Sequence, residues 1–202
     1  MPGEFVLASG NKGKLREISE MLQTLDLVVH PQSDWRTGEA EETASTFIEN
    51  ALAKARNAAR HIGLPAIGDD SGLVVPSLNG EPGIYSARYA GVEANDQSNI
   101  KKLLAELEKR QVADRGAYFY CAMVLMTTAD DPAPLVATAR WHGEILHTPR
   151  GKGGFGYDPI FGVKGTRYSA AELASAEKHR ISHRGQALRL LVEQLRERDI
   201  PW

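Results

Sequence analysis

The chain has 202 residues, of which 42% are hydrophobic and 25% are charged. This balance is typical of a globular protein with a sizeable core, and the length fits one large domain or two small lobes. The formal net charge of -2 argues against duplex nucleic acid or an anionic membrane as a partner, although a local basic pocket for a small anion stays open.

The N-terminal segment has the pattern of a strand, a glycine loop and a helix. A short strand is predicted over residues 4–9 and is followed by the loop 10–14, and apolar residues then recur at helical spacing from Leu15 to Leu25. Free N–H groups at a helix start attract anions, and Lys12 and Lys14 add positive charge, so the loop is a candidate phosphate site. It lacks P-loop spacing, and a solvated helix cap is an equally good interpretation.

An acidic cluster follows the second predicted strand. That strand covers residues 26–30, and the loop behind it carries Glu39, Glu41 and Glu42. A solvated loop is the ordinary interpretation of such a cluster.

An alanine-rich helix is predicted after this loop. Thr46, with a glutamate three residues later, forms a capping box, and the helix runs to about Ile62 before Gly63 ends it. Asn50 and Lys54 lie one turn apart on the same face of this helix.

The stretch Ala66–Val75 has the pattern of a buried strand, yet Asp69, Asp70 and Ser71 stand at its middle. Carboxylates that leave water need a cation, hydrogen bonds or a shifted pKa. The pair therefore indicates divalent-metal binding or acid/base chemistry. A surface turn of the Asp-Asp-Ser-Gly kind is the alternative.

The two longest strand candidates are Tyr118–Thr127 and Leu135–Leu146, and the Asp- and Pro-containing segment between them predicts an antiparallel hairpin. A helix with Ile100 near its start precedes them. Because strands and helices alternate, the chain is predicted to adopt a mixed α/β fold. Cys121 lies in the first of the two strands and is predicted to be a core residue.

The segment Arg150–Pro159 is rich in glycine and holds Phe155, Tyr157 and the rigid Asp158-Pro159 step. Its backbone must pass close to another group. A flexible linker is the alternative, which the aromatic residues and the proline disfavour.

A final helix is predicted from His183 to Arg198, after a segment of helix formers over residues 169–178. Lys178, His183 and Arg184 surround the start of this helix and are candidates for binding an anion or a base. The tail beyond the helix ends in Trp202, which either packs on a partner or is exposed.

The compartment is predicted to be the cytoplasm. A single cysteine excludes an internal disulfide and fits a reducing environment. The N-terminus carries an acidic Glu4 and only a short apolar run, and no window approaches the length of a membrane span.

Six stretches of the chain together resemble the inosine/xanthosine triphosphate pyrophosphatase family, the house-cleaning nucleotide hydrolases. They occur in the family's order: Ser9–Lys14, residues 41–51, Asp69–Leu73, Pro82–Tyr89, Gly153–Pro159 and Ser182–Gly185. Each is a modest signal by itself, but together they cover nearly the whole chain and leave little room for coincidence.

The resemblance implies an elongated α/β fold in which a central mixed sheet with flanking helices forms one domain, residues 1–202, with two lobes around a nucleotide cleft. It also implies a homodimer. The implied reaction is the hydrolysis of ITP, dITP and XTP to the monophosphate and pyrophosphate with Mg²⁺. Neither nucleic acid nor a membrane is expected as a partner.

The family's functional positions can be carried over residue by residue. Asp70 would accept a proton from the attacking water, and Glu42 and Asp70 would bind the metal. Lys54 matches a triphosphate contact. The triphosphate would be held by Ser9, Gly10, Asn11, Lys12, Gly13 and Lys14. Other nucleotide-binding positions would be Ser71, Phe155, Gly156, Tyr157, Asp158, Lys178, His183 and Arg184.

Selectivity for deaminated purines has a physical basis. Hypoxanthine and xanthine present a 6-oxo acceptor where adenine presents an amino donor, so donors from His183 or Arg184 would favour them. Phe155 would stack on the base.

Two other functions stay open at this point. A related metal-dependent hydrolase would act on modified pyrimidine nucleotides, and a comparison of substrates would identify it. A nucleotide-sensing or RNA-binding module would bind without magnesium-dependent turnover, although the near-neutral charge counts against RNA.

Overall fold

The computed structural model of the chain describes residues 4–22, 28–35, 37–38 and 40–197. The predictions that concern Leu25, residues 26–27, Glu39 and residues 198–202, including Trp202, lie outside the described residues.

Within the described residues, six strands form one mixed sheet in the order β2-β1-β3-β4-β5-β6. β1 pairs in parallel with both β2 and β3, and β5 pairs antiparallel with β6. β4 and β5, the two strands of the predicted hairpin, are neighbours in the sheet. The strands are β1 (Glu4–Ala8), β2 (Val28–Pro31), β3 (Ala66–Val74), β4 (Gly116–Met126), β5 (Leu135–Ile145) and β6 (Phe161–Val163).

Helices are inserted between and after these strands, so the predicted α/β class is confirmed. They are α1 (Lys12–Leu22), α2 (Phe47–Ile62), α3 (Asp96–Lys109), α4 (Ser175–Ile181) and α5 (His183–Glu197). No helix in the described ranges has the length and apolar character needed to cross a membrane.

The chain divides into two compact units. The first unit comprises Met1–Asp70, Cys121–Ala139 and His183–Trp202, and the second comprises Ser71–Tyr120 and Arg140–Ser182. Each has its own apolar core. The core of the first unit includes Phe5, Leu7, Ile18, Ile67, Met123, Leu125, Leu188 and Leu191. The core of the second unit includes Leu73, Leu78, Leu103, Leu107, Phe119, Trp141 and Phe161.

Helix α2 begins and ends as its sequence predicts. The Thr46 hydroxyl accepts a hydrogen bond from the Glu49 N–H at 3.2 Å and donates to the Glu49 carboxylate at 2.7 Å. At the other end, Gly63 adopts the left-handed conformation with φ 77°, which glycine does at little cost. The predicted capping box and glycine stop are both confirmed.

The close packing of α2 on β3 depends on Gly68. A Cβ atom at this position would lie 2.1 Å from the carbonyl oxygen of Ala51 and 2.8 Å from the amide nitrogen of Ala55. Only a residue without a side chain permits this approach. The first turns of α2 therefore lie directly over the part of β3 that carries the two aspartates.

The structure rules out one alternative and divides one predicted segment. Asp69 and Asp70 lie inside the buried strand β3, so the surface-turn interpretation is wrong. The helix formers of residues 169–178 do not form one helix: a 3-10 turn at Ala170–Glu172 is followed by extended backbone at Leu173, and α4 begins only at Ser175. Ser169 and Glu172 favour the turn because the Ser169 N–H donates to the Glu172 carboxylate at 2.8 Å.

Candidate active site

The two aspartates of β3 serve opposite faces of the strand, as the two-residue period of a strand requires. Ile67 and Asp69 point to the side of the sheet where Ile67 packs with the core of the first unit. Gly68 and Asp70 point to the side where α2 packs. Lys14 of α1 reaches both carboxylates, with its Nζ 2.8 Å from Asp69 Oδ2 and 3.8 Å from Asp70 Oδ1.

Asp70 is surrounded by side chains of α1 and α2. Its Oδ1 lies 3.5 Å from Lys54 Nζ, and its Oδ2 accepts a hydrogen bond from Asn50 Nδ2 at 3.1 Å. Lys54 also forms an ion pair with Glu42 and donates to the backbone oxygen of Asp69 at 3.2 Å. Lys54 thus joins the Glu42 loop, α2 and β3 in one charged cluster.

The pKa values in this cluster follow from burial and charge. Burial raises the pKa of Asp70, and the opposing effect of Lys14 and Lys54 does not cancel it, so the pKa of Asp70 is above its usual value. Burial alone would lower the pKa of Lys54, but the charges of Asp70 and Glu42 outweigh burial and raise that pKa. Lys54 is therefore an ammonium at neutral pH.

Asp69 is 0% exposed and is held by partners from three parts of the first unit. Besides Lys14, its Oδ1 accepts a hydrogen bond from Cys121 Sγ at 3.2 Å and lies 3.8 Å from Arg184 Nε. Burial would raise the pKa of Asp69, but Lys14 and Arg184 outweigh it and hold that pKa well below the usual range. Arg184 also donates to the Glu17 carboxylate, so Asp69 is an ionised member of a buried network.

The predicted phosphate loop caps α1. Asn11 Oδ1 accepts hydrogen bonds from the N–H groups of Gly13 and Lys14 at 2.9 and 3.1 Å, and the Ser9 hydroxyl accepts one from Asn11. Lys12 and Gly10 are exposed, whereas the Lys14 side chain is buried against the aspartates. The loop therefore sends one lysine to the carboxylates and one to the surface.

A second group of predicted residues lies in the second unit. Lys178 Nζ donates to Asp158 Oδ2 at 2.6 Å and lies 5.2 Å from the centre of the Phe155 ring. The same Asp158 oxygen accepts a bond from the Phe155 N–H at 2.9 Å. A Cβ atom at Gly154 would lie 2.0 Å from this oxygen, and the backbone there has a φ of +72°. Both features require a glycine at this position.

The neighbouring residues of this loop are tied to the rest of the second unit. Tyr157 is buried and its hydroxyl donates to the Ser86 carbonyl at 2.9 Å, while the Gly156 N–H donates to the Asp96 carboxylate at 2.7 Å. Ser86 in turn accepts a bond from the Leu73 N–H at 2.9 Å. These bonds give the glycine-rich segment a defined conformation, as its aromatic and proline content predicts.

The predicted site residues therefore form two groups. In the first unit the structure brings together Lys14, Glu42, Lys54, Asp70 and Arg184. His183 is the buried first residue of α5. In the second unit it brings together Phe155, Asp158 and Lys178. Ser71 is half-buried on β3, next to Asp70.

Sequence reasoning missed the contacts that three further residues make with the acids and cations of the first unit. Cys121 is the core residue that was predicted, with 0% exposure, but its contact with Asp69 gives it a polar partner. Glu17 holds Arg184, and no local pattern relates two residues so far apart in the chain. Asn50 was placed on the face of Lys54 but was not predicted to be a site residue. Its spacing from Lys54 is the signal that could have indicated its bond to Asp70.

The carboxylates of the first group are suited to a cation shared with a substrate. Among the described ranges, no three His, Cys, Asp or Glu side chains are arranged to hold a metal ion by themselves. Glu42 and Asp70 instead form a pair of oxygen donors that share Lys54. A hard divalent cation is commonly bound by one or two carboxylates together with waters and phosphate oxygens.

Comparison with known proteins identifies the family. Residues 5–194 match the Ham1 family. The chain belongs to the Ham1 family. One relative is the dITP/XTP pyrophosphatase of Idiomarina loihiensis, which is 54% identical over 95% of this chain and 96% of the relative. Another is the dITP/XTP pyrophosphatase of Thioalkalivibrio sulfidiphilus, which is 53% identical over 96% of this chain and 100% of the relative.

A solved Ham1 structure supports the same assignment. The HAM1 protein from Coxiella burnetii superposes with a TM-score of 0.90 and is 51% identical, covering 96% of this chain and 99% of that protein. The family and fold predicted from the six motifs are confirmed.

Proposed function

We propose that this Ham1 protein is a nucleoside triphosphate pyrophosphatase that hydrolyses the deaminated purine nucleotides dITP, ITP and XTP to the monophosphate and pyrophosphate. The observation that carries the proposal is the cluster in which Lys54 and Lys14 contact the carboxylates of Asp70 and Glu42. This cluster occurs in a chain that matches almost the full length of relatives named dITP/XTP pyrophosphatases.

We assign Glu42 and Asp70 to the binding of Mg²⁺. The donor set supports this assignment, because two carboxylates leave coordination positions for waters and phosphate oxygens, which Mg²⁺ prefers to an all-protein cage. When bound, the ion neutralises negative charge on the triphosphate. Lys54, which contacts both acids, supplies positive charge at the same place.

We assign to Asp70 the removal of a proton from the water that attacks the α-phosphorus. Attack at this atom releases pyrophosphate and leaves the monophosphate. Burial raises the pKa of Asp70, and a carboxylate with a raised pKa is a stronger base than an exposed one. Lys14 and Lys54 favour its ionised form, which is the form that accepts the proton.

Lys12 and Lys14 are assigned to the triphosphate, and Phe155 to stacking on the base. Lys178 is assigned to the nucleotide as well, since it lies over the Phe155 ring and is fixed by Asp158. Donors from His183 or Arg184 would favour a base with a 6-oxo acceptor.

The experiment that tests the function is product analysis with ITP, dITP, XTP, GTP, ATP and a modified pyrimidine triphosphate, with Mg²⁺ or with a chelator. We expect monophosphate and pyrophosphate from the deaminated purines, and loss of turnover with the chelator and in Asp70→Asn. Asp131→Asn is the matched control, because Asp131 is also a buried acid of the first unit, and its carboxylate accepts hydrogen bonds from the Thr127 N–H at 3.0 Å and the Ala133 N–H at 2.9 Å in its own loop.

Three results would contradict the proposal. Release of inorganic phosphate from every nucleotide would indicate a general phosphatase. Preference for the pyrimidine would indicate a hydrolase of modified pyrimidine nucleotides. Binding of ITP without turnover would indicate a nucleotide sensor.

The predicted homodimer is part of the same proposal. Sedimentation equilibrium of the purified chain tests it, and a mass of one chain at all concentrations would contradict it.

A further inference from the structure

Asn50 is a buried amide between the two carboxylate-bearing segments of the first unit. It is 1% exposed and lies in the first turn of α2. Its Nδ2 donates to Asp70 Oδ2 at 3.1 Å, and its Oδ1 accepts from the Ala44 N–H at 3.1 Å. One side chain thus bonds to β3 and to the loop that precedes α2.

The chemistry of its partners fixes the orientation of this amide. A carboxylate oxygen of an ionised aspartate only accepts hydrogen bonds, and a backbone N–H only donates one. Asn50 satisfies both groups in one orientation of its amide and neither group in the flipped one. An aliphatic residue of similar size would satisfy neither.

The bond to Ala44 matters because Ala44 lies two residues after Glu42. Asn50 therefore restrains the Glu42 loop and Asp70 at the same time. Lys54, one helical turn later, contacts the carboxylates of the same two acids. Because Asn50 occupies Oδ2 of Asp70, Oδ1 is the oxygen that faces Lys54 and Lys14.

The helix that carries Asn50 has a firm support. The close contact of Gly68 with the backbone of Ala51 and Ala55 fixes the first turns of α2 on β3. A side chain on this support holds its partners within a narrow range of positions, which is what a preorganised site requires.

We propose that Asn50 is a positioning residue for the metal-binding acids: it orients Asp70 and restrains the Glu42 loop so that both carboxylates can bind one divalent cation. The proposal rests on the proposed function, because Glu42 and Asp70 receive their metal role there. Partners that orient metal ligands typically change metal affinity or activity by about 10- to 100-fold when they are removed.

The second unit offers a matched control in Asn99. This residue is 3% exposed, accepts a bond from the Ala90 N–H at 2.8 Å and donates to the Ala87 carbonyl at 3.1 Å. It bridges two parts of the chain as Asn50 does, but its amide bonds to backbone groups in both directions. Asn99→Ala therefore reports the loss of a buried bridging amide without the loss of a bond to an acid.

The experiment compares Asn50→Ala and Asn99→Ala with the unaltered chain. Direct binding of Mn²⁺, a spectroscopic probe for the Mg²⁺ site, is measured without nucleotide, and hydrogen exchange is measured at the Ala44 and Ala90 amides. For Asn50→Ala we expect Mn²⁺ binding to weaken about tenfold or more and the Ala44 amide to exchange at least about tenfold faster. We also expect kcat with ITP to fall about 10- to 100-fold while KM stays within about threefold.

For Asn99→Ala we expect faster exchange at Ala90, with Mn²⁺ affinity and kcat close to those of the unaltered chain. If Asn50→Ala does not fold, as judged by circular dichroism, Asn50→Ser takes its place, since a serine hydroxyl is too short to span both partners.

Two results would overturn the inference: unchanged Mn²⁺ affinity and kcat in the Asn50 variant despite faster exchange at Ala44, or equal losses in the Asn50 and Asn99 variants. Failure of the proposed function looks different, because the unaltered chain would then not hydrolyse ITP, whereas the effect of Asn50→Ala on Mn²⁺ binding would still be measurable.

Discussion

The contact between α2 and β3 at Gly68 provides the sharpest prediction, for Gly68→Ala. The new Cβ would lie 2.1 Å from Ala51 O and 2.8 Å from Ala55 N, whereas ordinary van der Waals contact begins at 3.4 Å. The obstructing atoms belong to the backbone of a helix, so no side chain can rotate out of the way. Relief requires α2 to move from β3 by about 1.3 Å, the difference between 3.4 and 2.1 Å.

This displacement has a cost in stability and in activity. Overpacking a core typically costs about 1–3 kcal/mol. Because backbone is displaced here, we expect a loss near the upper end, about 3 kcal/mol in the free energy of unfolding. For a chain of this length that corresponds to a melting temperature lower by about 6–12 °C. The 3.1 Å bond from Asn50 to Asp70 would exceed hydrogen-bond length, so kcat should fall about tenfold or more.

Thermal melting followed by circular dichroism, together with the pyrophosphate-release assay, measures both effects. Gly38→Ala is the control, since a Cβ at Gly38 would have nothing within 4 Å, and it should leave both quantities unchanged. A Gly68→Ala variant that melts within about 2 °C of the unaltered chain and keeps its kcat would refute the packing argument.

Three further predictions concern charge. Lys178→Met leaves the buried Asp158 carboxylate without the ammonium group that lies 2.6 Å away. Urea unfolding should therefore show a free energy of unfolding that is lower by about 3 kcal/mol. A decrease below about 1 kcal/mol would contradict a buried ion pair. Burial raises the pKa of Asp70, so an NMR titration of the chain without Mg²⁺ should place that pKa above the usual carboxyl range; a value within or below that range would contradict the effect of burial. Lys54→Met removes a charge that lowers this pKa and should raise the pKa further in the same titration; a lower pKa would be inconsistent with the cluster. Burial and the charge of Asp69 raise the pKa of the Cys121 thiol. We therefore expect this thiol to resist a disulfide reagent at pH 8 in the folded chain and to react once guanidinium has unfolded the chain. Rapid reaction in the folded chain would rule out this environment.

The elements that the sequence predicted well are those with local signals. The capping box at Thr46 and the glycine after Ile62 determine both ends of α2, and both signals lie within a few residues of the ends they mark. The apolar run of β3 predicted burial of Asp69 and Asp70 because few polar residues interrupt it. Helical spacing placed Asn50 and Lys54 on one face, and both contact Asp70.

What the sequence could not predict depends on residues distant in the chain. No local pattern relates Glu17 to Arg184, which are 167 positions apart, or Cys121 to Asp69, which are 52 apart. Arg184 was predicted to bind an anion or a base of the nucleotide, and the sequence did not indicate that it contacts two acids of the chain itself. The extended backbone at Leu173 likewise depends on the turn before it rather than on helix propensity.

The discontinuous course of the first unit has a consequence for synthesis on the ribosome. Glu17 and Asp69 are made early, but Arg184, which contacts both, follows Glu17 by 167 residues. At about 5–20 residues per second, Glu17 exists for roughly 8–33 s before this arginine is made. Asp69, which precedes Arg184 by 115 residues, exists for roughly 6–23 s. During this interval a buried arrangement of the two acids would lack one of its cations, so the nascent first unit cannot complete its charge pairing until Arg184 has been synthesised.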